Sequence, residues 1–138
     1  MTRNIPMPGQ PVKKTRKQTK RKRKPKKWVS KRTESAILKD CLHWLQANSI
    51  YCWRNNTGAL PTGNGGFIRY GHAGSGDITG WTKSGRRLEV ECKTADGRQS
   101  PAQVAFQAAC EKDGVLYILA RGAIDLENFR KELTRGTN

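Results

Sequence analysis

A strand, a capped helix and a second strand follow one another between Leu88 and Ala120, and no other stretch limits the fold as tightly. Leu88, Val90 and Cys92 alternate with Glu89, Glu91 and Lys93. Successive side chains of a strand face opposite ways, so the apolar trio can bury while Glu91 and Lys93 project together. Asp96-Gly97 ends the strand, and Ser100-Pro101-Ala102-Gln103 starts a helix. Ser100 is the N-cap, Pro101 suits the first turn, and Gln103 completes a capping box. The helix runs to about Lys112, where Asp113-Gly114 stops it. Val115 to Ala120 is an unbroken apolar run, which suits a strand covered on both faces by helices. A strand, a crossover helix and a further strand imply a parallel pair.

The remaining elements attach to that unit. Ile37, Leu38, Cys41, Leu42, Trp44 and Leu45 recur at helical spacing, and Thr33 can cap the start, predicting an amphipathic helix over 33–47. Residues 50–56 read as a strand with Ile50, Cys52 and Arg54 facing one way and Tyr51 and Trp53 the other. Asn56-Thr57-Gly58 breaks it, and a glycine-rich loop follows. Phe67 to Tyr70 reads as a short second strand, Trp81 to Arg86 as a hairpin turn, and Asp125 as the cap of a last helix through Leu133. The expected order is helix, three strands, helix, strand, helix. The fold class is α/β, with a mixed central sheet flanked by helices.

Charge divides the chain. Residues 1–32 hold fourteen Lys or Arg and no acid, whereas residues 33–138 hold thirteen basic and eleven acidic residues. The expected division is a disordered basic arm over 1–31 and a folded domain over 32–138. The arm's densest run contains Lys20, Arg21, Lys22, Arg23 and Lys24. Such a run attracts phosphate backbones without reading sequence. A nuclear import signal and a merely solubilising tail are its other meanings. The folded part is large enough for one modest core. No stretch is long and apolar enough to span a membrane, and the N-terminus lacks the apolar region of a secretory signal. Cys41, Cys52, Cys92 and Cys110 form no CxxC and match no zinc spacing, so they read as small apolar residues in a reducing cytoplasm.

The chemistry-bearing residues are Asp77, delivered from the glycine-rich loop, and Glu91-x-Lys93. Two carboxylates supply oxygen ligands to a hard ion such as Mg²⁺, and a lysine beside them can orient a water or stabilise negative charge on a phosphate. Each residue has a blander competitor. Asp77 would otherwise cap a turn. Glu91 and Lys93 would otherwise form an ordinary salt bridge, and Glu34 would only complement a helix dipole. Gln103 is explained locally by its capping box, Glu89 reads as solvated, and His72 as an ordinary loop histidine. Arg54 and Arg69 are candidates for DNA-backbone contact.

Helix Glu34, the stretch Trp53-Arg54-Asn55-Asn56-Thr57-Gly58, the glycine-led Asp77, Glu91-x-Lys93 and Gly97-x-x-Ser100-Pro101-x-Gln103 occur in this order. Together they resemble the PD-(D/E)xK nuclease superfamily, and within it the VRR-NUC group of stand-alone phage or bacterial domains. The resemblance covers roughly Thr33 to Leu133. It implies metal binding by Asp77, Glu91 and the backbone carbonyl of Cys92. It also implies catalysis by Lys93, an accessory acid in Glu34 that reaches the metal through water, and a water-positioning amide in Gln103. Thr94 stands where the group often has a basic residue.

These readings converge on a Mg²⁺- or Mn²⁺-dependent DNA endonuclease. The resemblance implies a homodimeric resolvase of four-way junctions, in the host cytoplasm if phage-encoded, with flap cleavage as the alternative. A non-catalytic basic nucleic-acid-binding protein accounts for the arm but not for Asp77 and Glu91, because like charges repel phosphate. A sequence-specific restriction-type cleaver would need recognition elements that are not evident.

Overall fold

The computed structural model describes residues 31–136, so the basic run Lys20–Lys24 lies outside the described residues. The first helix, α1 (Glu34–Ala47), begins as expected: the Thr33 hydroxyl accepts from the Ala36 amide at 3.2 Å. Its buried stripe is Ile37, Leu38, Cys41 and Leu45. This stripe lies on a sheet built from β1 (Tyr51–Arg54), β4 (Ile78–Trp81), β5 (Arg87–Cys92) and β6 (Leu116–Ala120), in that spatial order. The first three strands are antiparallel neighbours, and β5 pairs with β6 in parallel. Helix α2 (Pro101–Lys112) is the crossover between them. The mixed sheet flanked by helices is therefore the fold expected from the sequence.

Two strand assignments change. Phe67–Tyr70 (β3) is a strand, but it pairs with Gly58–Pro61 (β2), a segment expected to be loop. The two form a separate hairpin whose strand residues are all exposed. The central sheet instead takes Ile78–Trp81, whose first three residues are buried between β1 and β5. The C-terminal helix is also divided, into α3 (Ala123–Asn128) and α4 (Arg130–Thr134). Gly122 is the N-cap of α3. Asp125 acts from within the first turn, where its carboxylate accepts from the Arg121 amide at 2.7 Å.

The even-numbered residues of β5 and β6 face α1 and α3. Leu88, Val90, Cys92, Leu116, Ile118 and Ala120 join Ile37, Cys41, Leu45, Leu126 and Leu133 in one apolar core. The odd-numbered residues face α2, which packs Phe106 against Tyr117. Both faces of β5 are thereby covered, and Glu89 and Glu91 are as buried as their apolar neighbours. All four cysteines are free thiols, and Cys41, Cys92 and Cys110 are buried. Among the described residues no helix is long and apolar enough to cross a membrane.

Candidate active site

The start of α1, the loop before β4, the end of β5 and the first turn of α2 meet at one corner of the sheet. Asp77 directly precedes β4. Its main-chain carbonyl accepts from Asn55 N–H at 2.8 Å, and its side-chain Oδ2 accepts from the Cys92 amide at 2.8 Å. A strand residue's N–H and C=O point to the same side. The Cys92 carbonyl therefore faces the side on which Asp77 stands.

Glu91 is the buried member of the site. Its Oε1 accepts from Lys93 Nζ at 2.8 Å and from Gln103 Nε2 at 2.5 Å. Its Oε2 is buried and, among the described residues, has no hydrogen-bond partner. An orphaned buried oxygen of this kind costs on the order of 1–3 kcal/mol, more if charged. Burial holds the Glu91 carboxyl above the usual carboxylate range. The Lys93 hydrogen bond opposes that shift, and the charge of Asp77 adds to it. Burial also works against the Lys93 ammonium, but the hydrogen bond and charge of Glu91, with the charges of Glu34 and Asp77, leave its pKa raised.

Glu34 is half exposed at the head of α1, with Oε1 3.9 Å from Lys93 Nζ. Gln103 makes its capping box and a bond to Glu91 at the same time. Its Oε1 accepts from Ser100 N–H at 2.8 Å, its own amide donates to Ser100 Oγ at 3.3 Å, and its Nε2 reaches Glu91. The capping box thus fixes the amide that fixes the carboxylate. Asp77, Glu91, Cys92, Lys93, Gln103 and Glu34 are all brought to this corner. Arg54 and Arg69 are exposed and, among the described residues, bond to none of them. Arg54 lies on the α1 face of β1, and Arg69 is on the separate hairpin.

Glu89 is not solvated. It is fully buried, and Oε1 accepts from Thr79 Oγ1 at 2.9 Å and from Arg87 Nη2 at 2.6 Å, while Oε2 accepts from Gly76 N–H at 3.2 Å. It tethers the residue that immediately precedes Asp77. Asn55 Nδ2 supports the same loop through Ser75 Oγ at 2.9 Å and the Gly76 carbonyl at 3.0 Å. Gly76 must lack a side chain, because a Cβ would stand 2.9 Å from the Val90 carbonyl. Arg121 clamps the loop after Lys93, donating to the carbonyls of Thr94, Ala95 and Gly97. None of these supports carried a separate sequence signal. Glu89 shared the alternation of Glu91, and Asn55 stood unremarked within the 53–58 stretch. A cleft of about 410 Å³ continues along this face between the loop and α2, lined in part by Asn55, His72, Ser75, Thr79, Arg87 and Phe106.

Among the described residues no three His, Cys, Asp or Glu side chains stand close enough to hold a metal ion by themselves. The donors that fit a hard divalent cation are fewer: the unpartnered Glu91 Oε2, the Asp77 carboxylate and a backbone carbonyl. All are oxygens, the ligand type Mg²⁺ and Mn²⁺ take. The chain has no significant match among protein-family models, curated proteins or solved structures.

Proposed function

We propose that this protein is a metal-dependent DNA endonuclease hydrolysing phosphodiester bonds, with branched DNA such as a four-way junction as substrate. The observation that carries this reading is the state of Glu91: one oxygen held by Lys93 and Gln103, and the other, among the described residues, buried without a partner, in a carboxylate whose charge Asp77 opposes. A purely structural salt bridge has no use for the orphaned oxygen. Asp77, Glu91 and the Cys92 carbonyl would hold Mg²⁺ or Mn²⁺, and such an ion supplies Lewis-acid polarisation of a phosphate and cancels the carboxylates' repulsion of it. Lys93, kept protonated by three acids, is a donor for charge developing on the phosphoryl oxygens rather than a base. Gln103 holds the Glu91 carboxylate in one orientation. Glu34, half exposed next to Lys93, is placed to hold a water. The ordered resemblance to the VRR-NUC group supports the same assignment, a homodimer and a cytoplasmic setting.

The test incubates the protein with labelled four-way junction, flap, single-stranded and linear duplex DNA, each with Mg²⁺, Mn²⁺ or chelator. Cleavage is expected only with metal, on the junction first, and is lost in Asp77→Asn and Glu91→Gln while binding remains. Preference for the flap would redirect the substrate assignment. Binding without any cleavage would favour the non-catalytic reading, and full activity in chelator would end the metal assignment. Thermal melting gives a second readout. Mg²⁺ or Mn²⁺ should raise Tm in the wild type, because a ligand bound only to the folded state stabilises it, and should not do so in Glu91→Gln.

A further inference from the structure

We propose that three exposed aromatic rings on the open edge of the sheet form a stacking platform for unpaired nucleobases. Tyr51 and Trp81 are cross-strand partners, with rings stacked 4.5 Å apart at 10°. Trp53 stands edge-on to both, at 6.0 Å and 5.7 Å. Cross-strand aromatic pairing alone would explain the Tyr51–Trp81 stack as sheet stabilisation. It does not explain the exposure: Tyr51 and Trp53, on the edge strand β1, and Trp81, at the end of the neighbouring β4, are 64%, 46% and 44% accessible, and among the described residues no further strand pairs with β1.

The charge around the rings selects the occupant. Shallow clefts flank Trp81. One, of about 260 Å³, is lined by Trp53, Trp81 and Arg87, and the other, of about 230 Å³, by Tyr51, Trp81 and Lys83. Each cleft therefore pairs ring surface with a cation, and among the described residues no carboxylate lines either one. Arg87 is anchored through Nε and Nη2 to the buried Glu89 carboxylate yet stays 62% exposed, so it is a fixed cation facing solvent. Planar rings interleaved with cations match the bases and phosphates of a single strand. A duplex keeps its base faces stacked inside and offers none to the platform. The rings share the sheet face of Thr79, Glu89 and Glu91, so a strand seated on them runs on the same side as the candidate active site. The platform would then hold the unpaired part of a branched substrate. Only this last step rests on the proposed nuclease activity.

Binding is measured in chelator, so that absence of cleavage does not bear on the result. The probes are fluorescein-labelled dT12, an abasic oligomer of equal length and charge, and a blunt duplex, with tryptophan emission read in parallel. Stacking on aromatic side chains predicts that dT12 binds on the order of tenfold tighter than the abasic oligomer and quenches emission. Trp53→Leu and Trp81→Leu should each bring dT12 toward the abasic affinity, and Trp53→Phe should recover much of the loss. Equal binding of dT12 and the abasic oligomer by the wild type would overturn the proposal without any variant. Undiminished dT12 preference in both Leu variants, folded by circular dichroism, would place base recognition elsewhere and overturn it too. Base-dependent binding by a protein that cleaves nothing would leave the platform standing and end the nuclease reading.

Discussion

Lys93 and Glu91 form a 2.8 Å pair, with Glu91 only 1% exposed and Lys93 12%. A buried pair of this kind is weak evidence of stabilisation, since desolvation offsets attraction. Its value here lies in fixing a cation on one oxygen of a carboxylate whose other oxygen, among the described residues, has no hydrogen-bond partner. Lys93→Ala should therefore lower kcat by about 10²–10³, the usual cost of removing one charge-stabilising donor. Single-turnover cleavage checks this, with melting curves to show that the variant is folded; near-normal turnover would reduce the pair to a structural one. Gln103→Ala should cost about 1 kcal/mol through its cap and lose activity as well, because one amide serves both Ser100 and Glu91. An activity unchanged in a measurably destabilised variant would leave it a cap alone. At this scale the sequence was largely legible. Acid, acid and lysine at strand spacing, with a capped helix following, located the corner that the fold assembles. Glu89 was misread for a physical reason: alternation implies one solvated face, but α2 covers the second face of β5.

The elements that position these residues were less legible. Ile78–Trp81 carries a glycine and only four residues, too short to show a period, yet it is the strand that presents Asp77 to Cys92. The β2–β3 hairpin was hidden in a segment rich in glycine, with Pro61 at the end of β2, a residue confined to strand ends and edges. A partner distant in sequence, β1, settles Ile78–Trp81, whereas β2 and β3 pair locally as a hairpin. The loop ahead of Asp77 also has a packing constraint that the sequence did not show. Gly74 has φ +83° and lies so close to α2 that a Cβ would stand 2.3 Å from the Ala102 carbonyl oxygen. Gly85, in the β4–β5 turn, has φ +81° but open space around it. Both Ala variants incur the left-handed backbone cost of about 1–2 kcal/mol, and Gly74→Ala must also displace backbone. Gly74→Ala should thus be the more destabilised by chemical denaturation, and the more impaired in cleavage, because its loop carries Asp77. Equal stabilities would show that the loop and α2 separate at little cost.

Across the whole molecule, charge and chemistry are segregated. In residues 33–138 thirteen basic residues stand against eleven acids, some in surface pairs such as Arg130–Glu127, whereas thirteen of the fourteen basic residues before Thr33 lie within residues 1–31. On the proposed nuclease reading, affinity would come from one part and selectivity from another. Phosphate contacts made by a basic run carry no sequence information, so in the proposed nuclease any discrimination between branched and linear DNA would fall to the domain and, in the proposed homodimer, to its symmetric pair of sites. Deleting residues 1–31 should weaken binding to every DNA and flatten its salt dependence, by about 0.9 in the log–log slope for each phosphate that the arm no longer neutralises. Metal-dependent cleavage and the preference for junction over duplex should survive. Binding to both substrates across a salt series, for full-length and truncated protein, measures the two effects separately. An unchanged slope would mean that the arm does not engage DNA. Loss of junction preference on truncation would put substrate selection in the arm and leave the domain as a metal-dependent cleaver without shape recognition of its own.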